Sequence, residues 1–309
     1  MLRYIARRLL LLVPTILGIA VITFLIMKSV PGGPFDEGGL GRRVSPQVVA
    51  TLNAKYGFDK PLPQQFVQYI AHAVRGDFGL SVEIRKDSPV GAIITEGVGK
   101  TLTLGALALL VALAVGIPLG IIAALKQNRI PDYLSLFVAT AGASVPNFVL
   151  AIVLVIIFAV KLKWIPTQGW GTPKQAILPV LTLAFAPMAF LTRITRSSML
   201  EVLGQEYIQT ARAKGLHEQA VISRHMLRNA LIPVATVAGP IAAGLITGSF
   251  IIENIFSIPG IGRLYIQSIN ARDYPIIMAT TLLYASVIAL ANLFVDVLYG
   301  VIDPRVRYS

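Results

Sequence analysis

The sequence predicts an all-α membrane protein with six transmembrane helices. Hydrophobic residues fill 55% of its 309 positions and charged residues only 14%, where a soluble domain carries about 25% charged residues. Mean hydropathy is +0.72. The apolar residues gather into long runs, and a helix needs about 20 residues to cross the hydrocarbon core of a bilayer. Basic residues collect at the ends of those runs, where charge meets headgroups and water.

The runs are Leu9–Val30, Thr101–Leu125, Ser135–Val160, Ala176–Leu191, Leu231–Ile252 and Ile276–Val301. Backbone inside lipid must satisfy its own hydrogen bonds, so each run reads as a helix. The first exceeds the apolar length of a signal peptide, and Lys28-Ser29-Val30-Pro31 is a poor cleavage site, so it reads as a retained span. Pro118, Pro146, Pro187, Pro233 and Pro240 fall within spans, where each removes a backbone donor and can kink its helix.

Orientation follows from basic residues in short loops. Arg3, Arg7 and Arg8 precede the first span, and Lys126 and Arg129 follow the second. Arg193, Arg196, Arg212, Lys214, Arg224 and Arg228 lie between the fourth and fifth, and Arg305 and Arg307 lie in the tail. All four groups share one side if both termini are cytoplasmic; Lys161, Lys163 and Lys174 on the opposite side weaken the bias without reversing it. The chain then divides into an N-terminal tail with the first span (1–30), an external helical region (31–100) and a five-helix core (101–309) whose cytoplasmic loop covers 192–230.

The external region reads as short helices. Ser45-Pro46 caps one that Gly57 ends, Pro63–Val74 forms a second closed by Gly76, and Ser88-Pro89 opens a third that leads into the second span. It reads as a packing element or a dock for an external protein. The last loop, Glu253–Pro275, is broken by Ile258-Pro259-Gly260-Ile261-Gly262 and by Asn270-Ala271-Arg272-Asp273-Tyr274.

Several function classes fall away. The net charge of +12 is spread along the flanks of apolar runs, which suits anionic lipid headgroups and not nucleic acid. Without cysteine there is no thiolate chemistry or Cys-ligated metal. Gly97-Val98-Gly99-Lys100-Thr101 resembles the end of a phosphate-binding loop, but the pattern needs glycine where Ile94 stands, so no ATP site is expected. His72, His217 and His225 have no metal spacing, and no serine sits in a nucleophile elbow. The chain therefore offers no catalytic residues, metal or cofactor.

Asp296 is the one acid expected inside a span. It reads as a partner for Arg193 or Arg196, or as a transport residue. Taken as a transport residue, Asp296 makes an ion-coupled carrier the competing function. In the fifth span, Gly239-Pro240, Gly244 and Gly248 recur at a spacing that lets another helix approach closely. These residues, with Ile246 and Ser249, are candidates for a pathway wall or subunit interface.

The loop after the fourth span holds Glu201 and Glu206 early and Arg212 and Lys214 late, a charge order that suits a helix dipole, with Gly215 interrupting the helix. A second helix, His217–Asn229, leads back to the membrane. Ala211 and Ala213 keep part of the surface low enough to enter a cleft.

Gln209-Thr210-Ala211-Arg212-Ala213-Lys214-Gly215-Leu216 resembles the EAA motif of ABC-importer permeases, with Gln209 and Thr210 in place of its glutamate and first alanine. Thr210–Leu216 and Arg224–Pro233 resemble the dipeptide/oligopeptide/nickel branch. So do Met1-Leu2-Arg3, Arg7-Arg8, Pro31–Phe35, Ala123–Asn128, Arg193–Arg196, Pro259–Gly262, Asn270–Tyr274, Val295–Tyr299 and Val301–Arg305. The resemblance implies a type I ABC-importer permease fold in a bacterial inner membrane. It implies a second, C-type permease subunit, two cytosolic ATPase subunits, an external substrate-binding protein and a peptide substrate, with nickel or another small nutrient as the alternative. By residue matching, Ala211–Leu216 sits in a groove on one ATPase, and Glu206 stands in for the glutamate missing at Gln209.

Overall fold

Every regular element among the described residues, 2–35 and 45–302 of this computed structural model, is helical apart from one isolated bridge between Leu80 and Pro89. In chain order the helices are α1 (Leu2–Ser29), α2 (Pro46–Tyr56), α3 (Leu62–Ala73), α4 (Val90–Leu125), α5 (Ile130–Ser144) and α6 (Asn147–Leu154), which continues as a π-helical stretch Val155–Lys161. Then come α7 (Pro173–Leu203), α8 (Glu206–Ala213), α9 (Glu218–Ala220), a second π-helical stretch Val221–Met226, α10 (Leu227–Ile246), α11 (Phe250–Ile255), α12 (Ile261–Ala271) and α13 (Tyr274–Ile302). Met1 and the tail from Asp303 to Arg307 lie outside the described residues.

Five helices are long and apolar enough to span a membrane alone, and α5 with α6 forms an apolar pair bent by 109°, a sixth span where the pair counts as one. The third predicted span, Ser135–Val160, is therefore broken rather than straight. The residue before a proline is pushed out of the helical region by the ring, and Val145 before Pro146 is extended (φ −89°, ψ 120°). The fifth predicted span, Leu231–Ile252, also stops early. Its helix ends at Ile246, Gly248 turns left-handed (φ 76°), and the Ser249 hydroxyl accepts from the Ile252 amide at 3.3 Å to start α11. Two spans outrun their apolar runs: α4 begins at Val90, well before Thr101, and α7 runs on to Leu203, so the first third of the expected loop is helix.

The chain forms two compact units. One is Met1–Thr101 with Ile258–Leu293, and the other is Leu102–Ser257 with Phe294–Tyr308.

In the first unit the caps fall where the sequence placed them. The Ser45 hydroxyl accepts from the Val48 amide at 3.4 Å, and Gly57 closes α2 in the left-handed region (φ 71°). Phe24 and Met27 of α1 bury against Tyr274, Ile277, Met278 and Leu282 of α13, with Phe58, Phe66 and Tyr69 packed alongside. A second cluster joins Val90, Ile93 and Ile94 of α4 to Ile261, Leu264, Ile276 and Ala279. The stretch that resembles a phosphate-binding loop is continuous helix here. The Thr101 hydroxyl accepts from the Ile261 amide at 2.9 Å, and a side chain at Gly97 would collide with Ile261.

Asp273 organises the outer loop of this unit. It is fully buried, and its Oδ2 accepts from the Ser81 hydroxyl at 2.6 Å and from the Val82, Glu83 and Ile84 amides at 3.2, 3.0 and 3.0 Å. Oriented amides around Oδ2 offset part of the cost of burying this carboxylate, whose Oδ1 has no hydrogen-bond partner among the described residues. At the other side of the loop, Lys55 Nζ donates to Asp87 at 2.7 Å and the Tyr56 hydroxyl donates at 2.7 Å. These contacts hold the Asp87 carboxyl below its ordinary 3.8, the Lys55 hydrogen bond being the larger cause.

The second unit is held together by glycines on helices that the sequence leaves uniformly apolar. A Cβ at Gly116 would lie 2.7 Å from the Met188 carbonyl, and one at Gly120 would lie 2.6 Å from the Thr192 carbonyl. That closeness lets the Thr192 hydroxyl reach across to the Gly116 carbonyl at 3.2 Å. Gly105 meets Leu245 of α10 in the same way, and Gly142 of α5 meets Ala189 of α7. On the cytoplasmic side Arg196 grips buried Asp132 through both oxygens, at 2.6 and 2.8 Å.

Candidate functional site: the cytoplasmic coupling segment

The segment after α7 is a short helix fixed on one face and open on the other. Gly204 and Gln205 break the helix, and α8 restarts at Glu206. In α8, Ile208 and Ala211 lie one turn apart and point inward. They bury with Ala124 of α4, Met199 of α7, and Val221, Met226 and Ala230 on the way into α10. The anchor therefore touches three long helices of the same unit.

The remaining α8 positions face solvent. Glu206, Gln209, Thr210, Arg212, Ala213, Lys214, Gly215 and Leu216 are all exposed. The helix closes with the Leu216 amide donating to the Ala211 carbonyl at 3.4 Å and the Gly215 amide donating to the Arg212 carbonyl at 2.9 Å, which is the Schellman pattern. Gly215 sits at φ 75°, in the left-handed region that a side chain disfavours, and nothing crowds the position. Arg212 then pairs with Glu218 across the turn, Nη2 to Oε1 at 2.6 Å and Nε to Oε2 at 3.2 Å. That hydrogen bond raises the guanidinium above its ordinary range. The His217 ring accepts from the Gln219 amide at 3.3 Å and so caps the next helix.

Two expectations need correction. Ala211 does not line the outward surface: it is 6% exposed and belongs to the anchor. An i, i+3 pair of Ile208 and Ala211 was the available signal, masked by the polar residues around it. Nor is His217–Asn229 a separate helix, because Glu218–Ile246 runs as one helical path into the membrane. Nearby, Arg196 holds Asp132 and Arg193 donates to the Ala139 carbonyl at 3.3 Å.

The fifth-span candidates separate in the structure. Ile246 carries backbone that packs on Gly105, Gly248 turns the chain, and Ser249 caps α11. Pro240 and Gly244 are exposed one turn apart, and a Cβ on Gly244 would meet nothing within 4 Å. Gly239 is half-buried beside them. Within the second unit, the close helix contacts are made by Gly105, Gly116, Gly120 and Gly142.

Residues 116–308 match the family described as binding-protein-dependent transport system inner membrane component, and residues 1–89 match its N-terminal companion. The chain belongs to that family. It is 44% identical to the Bacillus subtilis dipeptide transport system permease protein DppB, over 99% of this chain and 98% of the relative. It is 42% identical to the Salmonella typhimurium oligopeptide transport system permease protein OppB over the full length of both. It is 43% identical to an Escherichia coli glutathione transport system permease protein, GsiC, again over both full lengths. Among solved structures, an inward-facing MetNI methionine ABC transporter chain superposes with a TM-score of 0.55 at 17% identity, covering 69% of this chain and 97% of that one. That likeness shows a shared ABC-importer permease fold.

Membership in this family makes the chain a multi-pass inner-membrane transport subunit, working with ATPase subunits and a substrate-binding protein. It is not itself the ATPase.

Proposed function

We propose that this chain forms half of a peptide pathway, paired with a second, related permease subunit, and that Glu206–Leu216 is the segment the ATPase moves. The observation that carries the reading is the two-sided build of α8. Its outer face offers Gln209, Arg212, Ala213, Lys214 and Leu216 to a partner, while Ile208 and Ala211 lock the same helix to α4, α7 and α10. A packed anchor of this kind passes on displacement, because close-packed interiors deform little. ATPase closure against α8 then shifts the balance between two arrangements of the spans. Ala211, Thr210 and Glu206 act here through position: Thr210 donates to the Glu206 carbonyl at 3.0 Å and tightens the first turn.

Peptide is the substrate class that the dipeptide, oligopeptide and glutathione relatives support together. Their identities of 44%, 42% and 43% do not separate one from another. Pro240 and Gly244 form the open face of α10 that we assign to the second permease subunit or the pathway, with Gly239 flanking it; Ile246, Gly248 and Ser249 support its outer end, and Asp296 belongs to α13. The test is uptake by proteoliposomes holding the full complex and its binding protein, with labelled dipeptide, tetrapeptide, glutathione and nickel offered separately. ATP-dependent accumulation of peptide, with none of nickel, is expected. Nickel accumulation, or accumulation by this chain without ATPases, refutes the proposal.

A further inference from the structure

The outer end of α1 carries a feature that transport leaves unused. Thr23, Ile26, Met27 and Val30 of α1 and the residue following it form one wall of a groove of about 260 Å³. Tyr265, Ile269, Arg272, Tyr274 and Ile277 form the other. All belong to the first unit. The lining is mostly apolar and aromatic, and Arg272 is its one charged residue.

Arg272 is held there by backbone geometry. It ends α12 in the left-handed region at φ 55°, and its guanidinium lies against Gly32, where a Cβ would strike Nη1. The Tyr274 hydroxyl donates to the Gly32 carbonyl at 3.2 Å and fixes the same strand of backbone. The two motifs Pro31–Phe35 and Asn270–Tyr274, far apart in sequence, thus meet at this guanidinium. It is half-buried, and no carboxylate among the described residues lies within ion-pair distance of it.

Two further observations place the groove at the bilayer surface. Lys28 sits in the last turn of α1, its ammonium 4.8 Å from the ring centres of both Phe58 and Tyr274, as a snorkelling residue does where a span leaves lipid. Ile22 and Ile26 on the same helix are about 60% exposed, so the groove opens beside an exposed apolar face of a membrane-spanning helix.

We infer that this groove binds an anionic phospholipid, with the phosphodiester on the Arg272 guanidinium and part of an acyl chain between Ile26, Val30 and Ile269. A guanidinium with no carboxylate partner among the described residues, above an apolar slot, matches that amphiphile in both charge and polarity order. A neutral lipid lacks the net charge, and free phosphate leaves the slot empty.

The test is native mass spectrometry of the full complex released from nanodiscs of equal phosphatidylglycerol and phosphatidylcholine. Retention of phosphatidylglycerol should exceed that of phosphatidylcholine by about tenfold, the worth of one charge-assisted contact. Arg272→Gln should bring the two to parity, and Arg272→Lys should restore part of the preference. Ile26→Trp, at an exposed position that tolerates bulk, should displace the lipid with Arg272 intact. Equal retention of both lipids by the natural chain overturns the inference. So does displacement of the bound lipid by glycerophosphate or inorganic phosphate alone, or lipid preference unchanged in both Arg272→Gln and Ile26→Trp.

Discussion

Replacing Asp273 by alanine should release the outer loop of the first unit. Its Oδ2 is the shared acceptor for the Ser81 hydroxyl and three amides, and the residue is fully buried. A buried donor stripped of its acceptor costs about 1–3 kcal/mol, and three amides lose theirs together. Ser81 can rotate to a new partner and water can enter, so the total falls short of the sum, at about 3–5 kcal/mol. Asp273→Asn keeps a carbonyl acceptor and loses only the charge, which is about half the strength of each bond, so about 1–2 kcal/mol is expected. The assay is amide hydrogen exchange at Ser81 and Val90, whose own acceptors, Ser88 and Gly79, remain in the variant. Each 1.4 kcal/mol is about a factor of ten, so exchange there should quicken about a hundredfold or more in Asp273→Ala and about tenfold in Asp273→Asn. Unchanged exchange in Asp273→Ala would refute the view that one carboxylate holds the loop.

Gly120→Val should force α4 away from α7, because even a Cβ would lie 2.6 Å from the Thr192 carbonyl; a loss of about 1–3 kcal/mol is expected, read as lower thermal stability in detergent, whereas Gly244→Ala should cost little. The Asp87–Lys55 contact should weaken in acid. Its carboxyl is held below 3.8 in the folded state, so the stability it adds is present above that value and is lost as pH falls through the folded value. Hydrogen exchange of α2 between pH 5 and about 2 checks this, and Asp87→Asn should abolish the dependence. Glu218→Gln removes an exposed ion pair worth about 0–1 kcal/mol, so the complex should assemble and melt as before, with salt mimicking the change.

How much of this was legible beforehand depends on where each signal resides. Caps are local chemistry, so Ser45 and Gly57 announced α2 correctly. Span existence follows from length and hydropathy, and it held for five helices and the bent pair. Span geometry did not follow, since Pro146 and Pro118 look alike in sequence, yet α4 continues as helix through Pro118 while the chain breaks and bends at Pro146. The glycine seam was missed as well. Gly105, Gly116 and Gly120 sit in a helix that is apolar on all sides, where no periodicity marks the packed face. In the segment around α8, the exposed polar residues and the left-handed glycine were readable, and the coupling role proposed for them came from the motif resemblance. The inward turn of Ala211 was not, because burial of a small residue depends on Met199 and Met226, contributed by helices on either side.

The central claim is that α8 transmits ATPase motion while Gly215 shapes the surface that the ATPase meets. It is tested most directly by ATP-driven peptide uptake in reconstituted complexes carrying Gly215→Trp, whose Cβ would meet nothing within 4 Å although the left-handed turn would be strained. The account predicts that this complex still assembles, melts slightly lower because of the strained turn, and still hydrolyses ATP but loses most of its uptake. Uptake at the unmodified rate from an assembled Gly215→Trp complex would contradict it.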